Sequence, residues 1–202
     1  YALRAIPVGI ATVATDAKAF AEAVWQACGN ENLTRQEFQA AALVAAAISL
    51  GIDKKNYRVR GIASFLQEVI NYVAALPPRG SSNSEPDVLQ AARKALDIVA
   101  NYRSDALERL RGSIGTSADP TQAVPAAVAL VHKSESRFTA VSAAILGGET
   151  SLIAAISSAI QGAVCGITMF YPNALDTIER VSRPGVAPLA DRLVERRVYV
   201  SD

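Results

Sequence analysis

The stretch TRQEFQAAALVAAAISLG, residues 34–51, predicts a long helix at the centre of the fold. Thr34 and Glu37 have capping-box spacing, in which a hydroxyl and a carboxylate bond to amides that the first helical turn leaves free. Gly51 suits the end of the helix because it has no Cβ. The run between them is apolar on most faces, which is typical of a helix surrounded by other helices.

The rest of the chain also has helical patterns. Cap residues, prolines and apolar residues spaced three and four apart predict further helices over residues 15–29, 59–76, 86–112 and 119–132. Two apolar segments flank Gly147 and Gly148, and the tail from Pro172 onward predicts short amphipathic helices. Only Val198 to Val200 alternate as a strand would. We therefore predict an all-α fold, with residues 1–202 forming one domain.

Composition and charge exclude several classes of partner. The chain has 20 basic and 19 acidic residues and a formal net charge of +1, so neither nucleic acid nor an acidic membrane surface is predicted as a partner. Residues 150–171 lack charge over a length that spans a bilayer, about 20 residues. This run is rich in Ser, Ala and Gly and contains Gln161, which favours a helix buried by its neighbours.

The cysteines and the N-terminus bear on the cellular setting. Cys28 and Cys165 lie far apart without metal-site or redox spacing, which predicts free thiols and a cytoplasmic protein. No secretory signal precedes the first helix, and Tyr1 in place of a start Met predicts a trimmed N-terminal end.

Short motifs carry a family resemblance. The segments ALRAIPVG (2–9), GTS (115–117), AVPAA (123–127), GGETSLIAA (147–155) and QGAVCG (161–166) are similar, in order and spacing, to successive motifs of the ADP-ribosylglycohydrolases. The match extends over most of the chain and is loosest over residues 51–111. The resemblance implies an orthogonal multi-helix bundle that corresponds to the C-terminal part of the family's domain, with the N-terminal part absent.

The resemblance also implies a ligand site, which this sequence alters. The family's Gly-Gly-Asp-Thr-Asp-Thr motif, whose carboxylates and hydroxyl help to hold two magnesium ions beside ADP-ribose, corresponds to residues 147–152. Here Glu149, Ser151 and Leu152 replace its two aspartates and its last threonine. Because magnesium requires oxygen ligands, a neutral hydroxyl and an alkyl group weaken such a site. The family's other ligand cluster lies upstream of the residues that match Tyr1.

These observations define the candidate residues. Glu149 and Ser151 are the candidate metal ligands of a degenerate site, and the candidate ADP-ribose contacts are Gly115, Thr116, Gly147, Gly148 and Thr150. Structural interpretations stand beside them. Glu149 is predicted to favour the positive end of the next helix and to accept its amides.

Two basic residues have structural and functional interpretations as well. Arg4 is predicted to be a buried ion-pair partner in preference to a ligand contact. His132, the only histidine, is predicted to interact with carbonyl groups at a helix end, and no catalytic residue is assigned.

Three functions are compatible with this pattern. The leading hypothesis is a catalytically silent relative that serves as a binding or assembly module, without a cofactor. The second is a magnesium-dependent ADP-ribosyl hydrolase whose N-terminal segment is missing or supplied separately. The third is a structural subunit of a larger complex. The expected partners are a protein or a second copy of the chain, with ADP-ribose as the small-molecule ligand that the resemblance implies.

Overall fold

The computed structural model of the protein describes residues 1–29, 33–53, 61–81, 87–102, 104–133, 138–182 and 185–199. Over these ranges the chain is helical and forms no strand beyond an isolated bridge between Thr34 and Ser81. The all-α prediction is therefore confirmed. The helices are α1 (Ala5–Ala11), α2 (Ala17–Cys28), α3 (Arg35–Asp53), α4 (Ile62–Ala74), α5 (Val88–Asn101), α6 (Ala106–Ser113), α7 (Pro120–Lys133), α8 (Thr139–Leu146), α9 (Thr150–Cys165), α10 (Ala174–Ser182) and α11 (Val186–Tyr199).

Helix α3 is the centre of the fold, as its sequence predicts. Thirteen of its 19 residues are buried, so neighbours cover it on nearly every face. It packs against α1, α2, α4, α7 and α9, while α5 and α7 form the most extensive helix pair. Since six of these 13 buried residues are alanines, the surrounding helices can approach its backbone closely.

The capping box at the start of α3 is formed in full. The amide and the hydroxyl of Thr34 donate to Glu37 Oε2 at 2.8 and 2.9 Å, and the Glu37 amide donates to Thr34 Oγ1 at 3.2 Å. Such reciprocal caps fix where a helix begins. At the start of α2, Asp16 is the N-cap and accepts the amides of Lys18 and Ala19.

The single helix predicted over residues 86–112 is wrong. The structure has two helices, α5 and α6, separated after Asn101. The Asn101 side chain donates to Asp97 O within its own helix, and Tyr102 leaves helical geometry at ψ 79°. A short polar side chain that bonds to its own backbone competes with helix continuation. Ala106 and Leu110 are buried, so the apolar spacing that predicted one long helix continues across the break.

Two further predictions need correction. Val198 lies in α11, so the strand pattern of Val198 to Val200 does not form a strand there, and Val200 lies outside the described residues. Arg4 is exposed and is not a buried ion-pair partner. The predicted starts of two helices, at residues 59 and 86, also lie outside the described residues.

The helix α1 crosses α3 at a glycine. A Cβ placed on Gly9 would lie 2.5 Å from Ala45 O and 2.8 Å from Ile48 Cβ. Both distances are shorter than van der Waals contact, so only glycine fits at this crossing. Gly9 belongs to the 2–9 segment that carries part of the family resemblance, and packing alone accounts for its presence.

A buried arginine joins α11 to this crossing. Arg197 Nη1 donates to the carbonyls of Gly9, Ile10 and Thr12 at 3.1, 3.1 and 2.8 Å. Its Nη2 donates to Ser49 O at 3.0 Å, and the guanidinium also binds the Asp53 carboxylate through two nitrogens. The Arg197 side chain therefore donates to backbone carbonyls at the end of α1 and in the last turns of α3. Its positive charge is balanced by the Asp53 carboxylate.

We predict that Arg197→Met lowers the free energy of unfolding by about 3 kcal/mol, because it leaves the carbonyl acceptors of the buried guanidinium without a donor. Urea denaturation followed by circular dichroism measures this loss. Arg196→Met is the matched control, since Arg196 is exposed in the same helix and should change stability by less than about 0.5 kcal/mol. Equal effects of the two substitutions would contradict a structural role for Arg197.

The two cysteines are free thiols in different environments, and we predict that a thiol reagent labels Cys165 first. Cys28 is 1% exposed, and burial raises the pKa of its thiol, whereas Cys165 is half-buried. Because the thiolate is the reactive form, Cys28 should react only on unfolding. Mass spectrometry of the labelled native protein checks the order, and faster labelling of Cys28 would show that α2 opens readily.

Candidate functional site

Two glycine-bearing turns meet at one end of the helical bundle. The first turn joins α6 to α7 and contains Gly115 and Thr116, and the second joins α8 to α9 and contains Gly147 and Gly148. The Glu149 amide donates to Thr116 O at 2.8 Å, which fixes one turn against the other. The structure therefore brings together the predicted ligand-binding residues of both motifs.

Gly148 is required at the contact between the turns. Its φ is +70°, a conformation that disfavours other residues, and a Cβ there would overlap the side chain and the carbonyl of Thr116. Gly115, at φ +91°, contacts Gln122 in a similar way, and Gln122 Oε1 accepts the Ser117 amide at 3.1 Å. Gly148 thus serves the close packing of the two turns, whereas Gly115 lies against the end of a side chain.

Arg111 is a residue of this region that the sequence analysis missed. Its Nε and Nη2 donate to the carbonyls of Leu146 and Ile145, both at 2.8 Å, at the C-terminus of α8. A Cβ on Gly147 would lie 3.4 Å from its guanidinium. The signal in the sequence was only a basic residue in a last helical turn, which suits the dipole of its own helix and does not identify α8 as the partner.

The candidate metal ligands lie at the start of α9. Glu149 occupies the N-cap position, as predicted, but its carboxylate forms no cap hydrogen bond, so the expected amide contacts are wrong. Glu149 and Ser151 are exposed, and Thr150 is half-buried. Thr150 Oγ1 makes a long contact of 3.4 Å to Gly148 O. Residues 147–152 therefore lie at the surface and carry one carboxylate, that of Glu149.

A cavity of about 320 Å³ lies beside this motif. It is bounded by the N-terminal residues, by α3, by the start of α7 and by α9. Its walls are formed by Tyr1, Ala2, Leu3, Glu37, Ala40, Ala118, Pro120, Ala123, Val124, Leu152 and Ile156. Among these described residues Glu37 has the only charged side chain, and its Oε2 is engaged in the capping box. The cavity is therefore mainly apolar.

Leu152 connects the motif to the cavity. It is half-buried and lines the wall one turn before Ile156, so the position that corresponds to a hydroxyl ligand carries an alkyl group. Within the described ranges no group of three or more His, Cys, Asp or Glu side chains is placed to hold a metal ion. The residues that the structure describes at this motif do not fit a pair of magnesium ions, which need several oxygen ligands each.

Two other features that the sequence singled out lie in α7 and α9. His132 is half-buried in the last turn of α7, at the end of a helix as predicted. Helix α9 ends at Cys165, and no helix in the described part of the chain has the length and apolarity to cross a membrane.

We predict that Gly148→Ala lowers the free energy of unfolding by about 3 kcal/mol, the sum of a left-handed backbone and steric overlap with Thr116. Gly29→Ala is the matched control, because Gly29 has a similar φ of +65° but its new Cβ would meet no atom closer than Gln26 O, at 3.8 Å. The control should lose about 1 kcal/mol. Urea denaturation compares the two, and equal losses would mean that the turns are not held in contact.

Comparison with known proteins places the chain in a family. The model of the ADP-ribosylglycohydrolase family matches residues 1–201. The chain is also 27% identical over 184 residues to the uncharacterized protein YegU of Escherichia coli (strain K12). That alignment covers 90% of this chain and 54% of YegU, so the chain spans about half the length of the curated relative it matches. Because the family model matches nearly every residue, the chain belongs to the ADP-ribosylglycohydrolase family.

Proposed function

We propose that this chain is a catalytically degenerate ADP-ribosylglycohydrolase relative that acts as a binding or assembly module. The observation that carries the proposal is Leu152, whose alkyl side chain lines the cavity where the family motif has a ligating hydroxyl. The neighbouring Ser151 supplies a neutral oxygen in place of a carboxylate. Two of the three ligand positions in the motif have thus lost the charge or the oxygen that a magnesium ion requires.

The proposed binding role is supported by the features that remain. The contact between Glu149 and Thr116 holds both turns in place, and the adjacent cavity has a volume within the range of small-molecule sites, about 300–1,000 Å³. Leu152 and Ile156 make its α9 wall apolar, and no basic side chain of the described residues lines it. Any ligand held there would be bound mainly by apolar contact and would not need a metal ion.

A second candidate function is a magnesium-dependent ADP-ribosyl hydrolase completed by a further segment. The observation that favours it is the extent of the match to YegU, of which 54% is covered. In that case, carboxylates from the further segment would supply most of the ligands, and Glu149 would be the contribution of this chain. The two candidates differ in whether magnesium changes the binding of ADP-ribose.

Titration calorimetry with ADP-ribose tests the proposal. We predict that the affinity for ADP-ribose, whatever its value, changes less than about twofold on adding magnesium, because the motif lacks ligands that could link the two. We also expect no release of ADP-ribose from an ADP-ribosylated protein. Tighter binding by tenfold or more with magnesium, or release of ADP-ribose, would favour the second candidate.

A restored motif provides the matched comparison. The double variant Ser151→Asp with Leu152→Thr should bind magnesium at least about tenfold more tightly than the wild-type chain, since it regains an anion and an oxygen. Ala155→Asp is the control, because Ala155 is exposed one turn further along α9 and receives the same charge outside the motif. If the wild-type chain already binds magnesium as tightly as the double variant, the proposed degeneracy is wrong.

A further inference from the structure

The cavity beside the motif has one charged side chain in its described wall, and part of that side chain's hydrogen-bonding capacity is unused. Glu37 is half-buried in the first turn of α3. Both bonds that its carboxylate accepts come from Thr34 and end at Oε2, at 2.8 and 2.9 Å. Oε1 accepts no hydrogen bond from the described residues, and the carboxylate forms no ion pair with them. A carboxylate has about four acceptor sites, so Glu37 can still bind a donor group of a ligand.

The local structure holds this carboxylate in place. The Glu37 amide donates to Thr34 Oγ1 at 3.2 Å, which closes the capping box. The residues at the start of α3 are held by a bridge, in which the Arg35 amide donates to Ser81 O and the Ser81 amide donates to Leu33 O, both at 3.0 Å. Because the Glu37 side chain is already fixed in the free protein, binding of a ligand costs little further side-chain entropy.

The other described residues of the wall include no basic side chain that could balance the Glu37 charge. The wall is apolar along the start of α7 and along α9, where Leu152 and Ile156 contribute. A charge in an apolar setting acts more strongly than one in water, because the local dielectric constant is lower. The wall therefore favours a ligand that combines a positive charge with an apolar body, and it disfavours an anion.

We propose that this cavity binds a small primary amine with an apolar body. The ammonium group donates to the Glu37 carboxylate, and the body packs against Leu152 and Ile156 of α9 and Val124 of α7. Charge-assisted bonds between an ammonium group and a carboxylate are stronger than bonds between neutral groups, so this contact gives the site its selectivity. The volume of about 320 Å³ has room for about ten non-hydrogen atoms, at the roughly 30 Å³ that a water molecule occupies in the liquid. This inference rests on the binding role proposed above and names the class of ligand.

Three probes of similar size test the inference by titration calorimetry at about pH 7. At this pH 2-phenylethylamine carries a positive charge, 2-phenylethanol is neutral and phenylacetate is an anion. We expect the amine to bind with a dissociation constant of about 1 mM or lower, as is usual for a ligand of this size. The alcohol should bind at least about tenfold more weakly, and phenylacetate more weakly still. Equal affinities for the amine and the alcohol, or no detectable binding of the amine, would overturn the proposal.

A substitution at Glu37 shows whether its carboxylate is the selective group. Glu37→Gln should bind 2-phenylethylamine at least about tenfold more weakly and 2-phenylethanol within about twofold of the wild-type chain, because only the charge is lost. A glutamine also suits the third helical position of a capping box, so the start of α3 should be kept. Glu108→Gln is the matched control, since Glu108 is exposed in α6 and does not line the cavity. Equal effects of the two substitutions on amine binding would contradict the contact with Glu37.

The outcome does not depend on how the variant folds. Circular dichroism checks that Glu37→Gln keeps the helical content of the wild-type chain, and the comparison of the three probes uses the wild-type chain alone. The proposed function is tested by other measurements, namely the effect of magnesium on ADP-ribose binding and the release of ADP-ribose. If the amine does not bind while ADP-ribose binding is independent of magnesium, the ligand class is wrong and the catalytic degeneracy stands. If ADP-ribose is released, the proposed function is wrong, whichever probe binds.

Discussion

The fold depends on the close approach of several helices to the backbone of α3. Alanine and glycine make this possible: Gly9 of α1 lies against Ala45, and Gly51 of α3 lies against Val164 of α9, where an added Cβ would be 3.0 Å from Cγ2. Packing of this kind gains dispersion contacts over long stretches of backbone, and it tolerates no added volume. The turn that contains Gly148 is fixed by the same steric rule, at the other end of α9.

Local signals in the sequence predicted most of the helices, and nonlocal contacts account for what they missed. The start of α3 was predictable because Thr34 and Glu37 satisfy each other within four residues. The break after Asn101 was not, because the apolar spacing continues through Ala106 and Leu110 on both sides of it. Arg196 and Arg197 are the same residue type in adjacent positions, and only contacts with residues 9–12 and 49–53 decide which one is buried.

The sequence also predicted only part of the candidate site. The resemblance of residues 115–117 and 147–152 to family motifs identified two turns, and the hydrogen bond from Glu149 to Thr116 explains why they occur together. The resemblance did not identify Arg111, whose acceptors lie more than 30 residues away at the end of another helix. The loss of a metal ligand at position 152 follows from the sequence alone, because a leucine side chain has no lone pair to donate to a metal ion in any conformation. What the structure adds is that Leu152 continues the apolar wall formed by Ile156 and Val124.

The Arg197 cluster also constrains when the protein can finish folding. Its acceptors on α1 are separated from the guanidinium by as many as 188 positions along the chain. Contacts between such distant residues form late, because a long loop must close before they are gained. During translation, the carbonyls of Gly9, Ile10 and Thr12 and the Asp53 carboxylate are therefore synthesised long before their donor. In the growing polypeptide those groups must form hydrogen bonds with water. The amino-terminal helices reach their final order only after residue 197 has emerged.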